Sequence, residues 1–340
     1  MKKIRSKAPL RIGLAGGGTD LDVYCNEYGG YVLNTTISLY VHCNILVNSS
    51  NVVIFESQDL KESVELPLSN KFELNGHMDL YKATYNTIIE KYKPDFEGFI
   101  LSTYSDVPSG SGLGGSSTLV VSMIKAFSEW FNLGIGEYEI ASMAFEIERE
   151  KIGIIGGSQD QYASTFGGFN FMEFYNYKNV IVNSLRIKPD ILNELESSMV
   201  LYFTNIQRSA SQIEEQKKSL LLKGPSLDAM HQVKKNAVLM KENLLKGNIL
   251  KFAEILDQAW ENKKKVSKSI SNRKIDKIYN LAKDCGAISG KISGAGGGGF
   301  MFFIIDPSKK HKLINELQKQ EGMVINFNFI NEGVKSWVVD

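Results

Sequence analysis

Residues 107–118, VPSGSGLGGSST, put four glycines and five hydroxyl side chains into twelve positions. The stretch joins an apolar run, Phe99-Ile100-Leu101, to a helix-like one from Leu119 to Phe131. Glycine reaches positive φ without steric cost and lets another group approach the main chain. Where such a loop opens a helix, its unpaired N–H groups and the helix dipole make an anion site. A triphosphate is the anion that suits a loop of this length. The plain alternative is a flexible turn with serine N-caps. Gly110, Gly112 and Gly115 satisfy GxGxxG, but that pattern normally opens the first βα turn of a dinucleotide domain, and residues 1–106 precede it here. No Lys-Ser/Thr pair follows the glycines, so the loop is not a P-loop. Phosphate would be held by backbone and hydroxyls, with cations supplied from elsewhere.

The totals exclude several classes of function. The 340 residues carry 39 basic and 38 acidic side chains, a net charge of +1. That balance gives no electrostatic reason to expect nucleic acid or an anionic membrane as partner. Lysines cluster only locally, as in ENKKKVSKS (residues 261–269), which reads as the solvated face of a helix. Cys25, Cys43 and Cys285 are too scattered for a disulfide framework or a zinc site, and buried free thiols in a reducing cytoplasm are expected. Arg5, Lys7 and Arg11 interrupt any apolar core of a signal peptide, and FMFFII (300–305) is too short to span a bilayer. A cytoplasmic protein is expected.

Alternating, β-branched stretches predict strands at RIGLAGG, GYVLNTTISLYVHCNILVN, NVVIFES, VELPL, GFILSTYSD, FNFMEFY and NVIVNSLRI. Helical spacing marks 79–92, about 116–131 and 137–150, and 151–168 reads as a loop. Further along, SMVLYFTN reads as a strand, and a long helical section follows to about Cys285. Strand AISGKISGAGGGGFMFFIID, helix SKKHKLINELQKQ, and strands MVINFNFI and KSWVVD complete the chain. Strand-rich, helix-rich and strand-rich thirds predict an α+β protein, divided into residues 1–188 and 189–340.

Three glycine clusters, APLRIGLAGGGTD (8–20), VPSGSGLGGSS (107–117) and KISGAGGGGF (291–300), together resemble, in order and separation, the three motifs of the GHMP kinases. The resemblance spans nearly the whole chain. It implies a two-domain α+β fold, with a ribosomal protein S5 domain 2-like N-terminal domain and a ferredoxin-like α/β C-terminal domain. The stretches AGGGTDL, GLGGSS and GGSQDQYA are most similar to the heptose-phosphate kinase branch. That likeness implies ATP-dependent phosphorylation of the anomeric hydroxyl of D-glycero-D-manno-heptose 7-phosphate, on the route to GDP-heptose for surface polysaccharide. Fucose kinases carry related signatures, so an L-fucose or other sugar 1-kinase is the alternative, and a non-catalytic sugar sensor is a third reading. A small-molecule sugar phosphate is then the partner, ATP and Mg²⁺ are the cofactors, and a homodimer stays open.

The same resemblance assigns roles by residue. Asp160 is the catalytic base, since an ionised carboxylate can take the hydroxyl proton. Arg11 is the cation beside it. Pro108, Gly110, Gly112, Leu113, Gly114, Gly115, Ser116 and Ser117 cradle the nucleotide. Ser116 and Glu148 hold Mg²⁺, a hard cation that favours few protein oxygens plus phosphates; Ser117, and Glu146 or Glu150, are the alternatives in register. Gly17, Gly18, Thr19, Asp20, Gly157, Gly296 and Gly297 line the sugar site, where Asp20 can accept hydrogen bonds from a vicinal diol. Arg208, after a strand, is the candidate for the substrate's own phosphate.

Overall fold

The computed structural model describes residues 2–48, 50–176, 178–206 and 224–339. Among the described residues twelve strands form two sheets. The larger has the order β12-β1-β2-β5-β3-β4, with β6 and β7 extending from β2. Its strands are β1 (Lys3–Ala15), β2 (Gly30–Val47), β3 (Val52–Ser57), β4 (Glu62–Pro67), β5 (Phe99–Ser105), β6 (Phe169–Asn176), β7 (Asn179–Ser184) and β12 (Lys335–Val339). The smaller sheet, antiparallel throughout, has the order β11-β8-β10-β9, from β8 (Met199–Phe203), β9 (Ala287–Ile292), β10 (Phe300–Ile305) and β11 (Met323–Ile325).

The long strand β2 serves two neighbours in turn: residues 30–35 pair with β6, and residues 41–47 pair with β5. Its pairing with β1 breaks between Pro9 and Arg11, where the partner changes from Tyr40 to Thr36. Two steps along β1 thus face four along β2, a bulge that re-aims the strand. The Arg11 N–H leaves the ladder there and donates to the carbonyl of Leu113 at 3.1 Å. One local irregularity therefore ties the first glycine motif to the second.

Helix α1 (Asp22–Tyr28) follows the first glycine motif, and helices α2 (Asp79–Tyr92), α3 (Gly115–Trp130) and α4 (Glu137–Phe145) cover one face of the large sheet through a core containing Phe55, Phe99 and Phe127. A second core joins the sheets: Leu10, Ile12 and Leu14 of β1 meet Leu201, Phe203, Phe300 and Phe302 of the small sheet and Phe252 and Leu256 of the helix Ile249–Val266. That shared apolar layer fixes the two sheets against each other and places the cleft where their loops meet.

Several elements depart from the sequence expectation. Residues 151–168, read as a loop, contain helix α5 (Gln159–Phe166). Glycine pairs at 156–157 and 167–168 bracket its eight residues and mask a short inward face of Tyr162 and Ala163. Helix α4 does not run to residue 150 as an α-helix, because Glu146–Lys151 form a π-turn. Helix α6 (Pro189–Ser198), which packs Ile191, Leu192 and Leu195 into the second core, has no counterpart among the expected elements. Of MVINFNFI only Met323–Ile325 pair as a strand, and Phe329 makes a single bridge to Ile37. The lysine run does not lie wholly in solvent: Lys263 is 4% exposed and faces the cleft. The three cysteines are buried and free. No helix among the described residues is long and apolar enough to cross a membrane.

Candidate active site

The three glycine motifs, separated along the chain, touch one another. Gly112 and Gly294 lie back to back, both at positive φ (+81° and +75°). A Cβ on Gly112 would come within 2.8 Å of the Ser293 carbonyl, and one on Gly294 within 2.5 Å of the Gly112 carbonyl. Only bare backbone fits here. The Ser293 hydroxyl accepts from the Gly13 N–H (3.1 Å) and from Arg11 Nη1 (3.3 Å), so the third motif also grips the first. Together the loops border a cleft of about 610 Å³.

At the centre lies Arg11, 3% exposed. Its Nε donates to Asp160 Oδ1 and its Nη2 to Asp160 Oδ2, both at 2.7 Å, while Nη1 donates to the Gly112 carbonyl at 2.6 Å. The fork-on-fork geometry fixes both side chains. Asp160 occupies the first turn of α5, and its side chain passes 3.2 Å from where a Cβ on Gly114 would lie. Asp160 therefore faces the start of α3, whose first N–H groups have no partners within the helix.

Ser116, one residue into α3, donates its hydroxyl proton to Glu148 Oε1 at 2.8 Å. Glu148 is fully buried, and Gln161 Nε2 donates to its other oxygen. The π-turn accounts for the register. It turns Glu148 inward, while Glu146 and Glu150 pair at the surface with Lys151 and Lys178. The next residue, Arg149, donates to the carbonyls of Ile154 (3.3 Å) and Gly157 (3.1 Å) and shapes the loop leading to Asp160.

Asp20 closes the other end. Its Oδ1 accepts from the Gly18 N–H and from Gln159 Nε2, both at 3.0 Å, and its Oδ2 from the Gln159 N–H at 3.2 Å. A Cβ on Gly157 would meet Asp20 Oδ2 at 1.9 Å, so that glycine is required by close approach. Behind it, burial and then the negative charges of Asp20 and Asp22 push the Cys25 thiol up to about 12, so it stays protonated.

Of the sequence-derived candidates, Arg11, Gly17, Gly18, Asp20, Pro108, Gly110, Gly112, Gly114, Gly115, Ser116, Ser117, Gly157 and Asp160 border the cleft. Leu113 instead points into the core, where it is fully buried, and contributes through its carbonyl. Thr19 turns its hydroxyl to the carbonyls of Gly16 and Tyr31. Gly296 and Gly297 pack on Ile270, and Gly294 and Ala295 of the same loop border the cleft in their place. Glu148 reaches the site from below through Ser116. Arg208 lies outside the described residues. Sequence reasoning missed Gln159 and Gln161, although both flank Asp160 in the quoted motif, and it missed Arg149, Lys263 and Ser293.

The family description "GHMP kinases N terminal domain" matches residues 79–168, and "GHMP kinases C terminal" matches residues 240–322. The chain is 56% identical over 337 residues, 99% of each protein, to a D-glycero-alpha-D-manno-heptose 7-phosphate kinase of Campylobacter jejuni. It superposes with a TM-score of 0.85 on the crystal structure of a D-glycero-D-manno-heptose 1-phosphate kinase from Bacteroides thetaiotaomicron, 42% identical over 98% of each chain. The Methanococcus jannaschii mevalonate kinase, at 21% identity and a TM-score of 0.77, shares the fold. With three motifs converging on one carboxylate and both halves matched, the chain belongs to the GHMP kinase family and is one of its sugar kinases.

Proposed function

We propose that the chain transfers the γ-phosphoryl group of ATP to the anomeric hydroxyl of D-glycero-D-manno-heptose 7-phosphate, giving the 1,7-bisphosphate and ADP. The observation that carries this reading is the bidentate Arg11–Asp160 pair at the junction of the three glycine loops. The nucleotide's phosphates would lie against Gly110–Ser116 and the start of α3, and its base against Leu60, Met78, Leu80 and Tyr104, which line the cleft together with Asp59, Glu62 and Asp79. The sugar lies between Asp20 and Asp160. Its hydroxyl oxygen forms a bond to the γ-phosphorus as the bond from that phosphorus to the β–γ bridging oxygen breaks. The hydroxyl proton passes to Asp160, which Arg11 keeps aligned, and Arg11 also offsets charge on the transferring group.

Magnesium fits the residues present. Ser116 Oγ and Glu148 Oε1 stand 2.8 Å apart, one a hydroxyl oxygen and one a carboxylate oxygen. Among the described residues no cluster of three or more acidic, histidine or cysteine side chains forms a closed metal cage. An open pair of hard oxygens, completed by phosphates and water, is how Mg²⁺ is usually bound. When bound, the ion supplies charge neutralisation on the β- and γ-phosphates. In this reading the enzyme works in the cytoplasm on the route to GDP-heptose for surface polysaccharide.

The test is a panel of acceptors with Mg-ATP, following ADP release and assigning products by ³¹P NMR. The reading expects D-glycero-D-manno-heptose 7-phosphate to give a 1,7-bisphosphate, with a kcat/KM well above those of plain heptose and L-fucose. Equal or better turnover of a plain sugar, or a product phosphorylated away from C1, refutes it.

A further inference from the structure

Lys263 stands where the packing of its helix calls for an apolar side chain. It lies in the last turn of the helix Ile249–Val266, on the same inward stripe as Leu256, Ala259, Trp260 and Val266. Its neighbour Lys264 pairs with Glu261 at the surface, whereas Lys263 is 4% exposed and borders the cleft. Burying an ammonium is costly unless polar groups meet it, and the structure provides for it. Nζ donates to the Gly294 carbonyl, and the helix C-terminus favours a cation there.

The main chain of Gly17 passes beside this ammonium in the cleft wall. A Cβ at that position would lie 3.8 Å from Lys263 Nζ and 3.6 Å from Gln159 Nε2. A cation and an amide donor thus converge on one small volume over Gly17. They do so on the Asp20 side of the cleft, since Gln159 Nε2 also donates to Asp20. A phosphate monoester, with several strong acceptor oxygens and up to two negative charges, matches that pair of donors.

We propose that Lys263, assisted by Gln159, binds the phosphate group already carried by the acceptor sugar, and so selects phosphorylated over plain sugars. This inference rests on the reading of the chain as a sugar-phosphate kinase. Its test compares the wild type with Lys263→Met, Lys263→Arg and Gly17→Ala, using D-glycero-D-manno-heptose 7-phosphate and plain D-glycero-D-manno-heptose as acceptors. Lys263→Met should raise KM for the 7-phosphate by about 30-fold or more, the low end of what losing one member of a buried charged contact costs. The kcat/KM preference for the phosphorylated sugar should fall by a similar factor, and KM for ATP should hold within about twofold. Lys263→Arg should retain part of the preference.

Gly17→Ala puts a methyl group in front of both donors and should reduce the preference in the same way. It supplies the result if Lys263→Met fails to fold. A loss of kcat shared equally by both sugars, or a large rise in KM for ATP, would show that Lys263 serves the transferring phosphoryl group and overturns the inference. A wild type that prefers the 7-phosphate, with a preference that survives Lys263→Met and Gly17→Ala, also overturns it while leaving the function reading intact. A wild type with no such preference overturns the function reading and the inference with it.

Discussion

Arg11 and Asp160, 149 positions apart, are joined by two parallel hydrogen bonds of 2.7 Å, guanidinium fork to carboxylate fork. Arg11 comes from the bulge in β1 and Asp160 from the first turn of α5, so strand and helix must both be in place before the pair exists. The remaining Arg11 nitrogen reaches the Gly112 carbonyl and the Ser293 hydroxyl. One buried cation therefore touches all three glycine motifs or their neighbours and aims the carboxylate. Preorganisation of this kind costs no rearrangement at the moment of transfer.

In the proposed reading Glu148, held by Ser116 and Gln161, is one of the two oxygen donors to Mg²⁺. Glu148→Gln should raise the Mg²⁺ concentration needed for half-maximal activity by at least the 10- to 100-fold, roughly, that loss of an outer partner costs. A Mg²⁺ titration at saturating ATP checks this. An unchanged Mg²⁺ dependence in a folded variant argues against the assignment.

Gly157→Ala tests the sugar end. The added Cβ would stand 1.9 Å from Asp20 Oδ2, so the carboxylate must leave its hydrogen bonds to Gln159. KM for the sugar should rise by about tenfold or more, as expected for a lost uniform-binding contact. KM for ATP should change little. Unchanged kinetics would mean that Asp20 does not hold the acceptor.

Asp106, just ahead of the glycine loop 107–118, gives a pH signature. Burial pushes its carboxyl upward. The hydrogen bond from the Tyr40 N–H at 2.8 Å and the charges of His42, 3.6 Å away, and Lys7 outweigh that and hold it below the ordinary 3.8. A carboxylate depressed on folding contributes stability that is fully present above its unfolded value and is lost as pH falls through the folded one. Asp106→Asn should therefore lower Tm at pH 6, and the difference from wild type should shrink below about pH 4. Melting curves from pH 2.5 to 7 read this directly. A difference that grows on acidification contradicts it.

Much of the site was legible because its chemistry is carried by glycine spacing and by short polar motifs. Gly112 and Ser116 sit in a glycine loop whose physical use can be argued from sequence, whereas Arg11 and Asp160 are singled out through the family resemblance. The misses have physical reasons too. Lys263 lies in a run of three lysines, and composition masks a helical stripe that turns one of them inward. Helix α5 hides between glycine pairs, so a segment with helical contacts reads as a loop. Gly296 and Gly297 differ from Gly294 only in which neighbour their backbone meets, Ile270 or Gly112, and that is decided by tertiary packing. The π-turn at Glu146–Lys151 leaves no pattern in sequence, yet it decides which of three glutamates faces Ser116.

The most direct measurement is the turnover of Asp160→Asn with ATP and heptose 7-phosphate, beside its equilibrium affinity for ATP. Asparagine keeps the shape and one oxygen for Arg11 but cannot take the proton. Turnover should drop by about 10²- to 10⁴-fold, the usual worth of a positioned base, with ATP affinity held within a few-fold. A folded variant that binds ATP normally and still turns over near the wild-type rate would show that the proton leaves by another route.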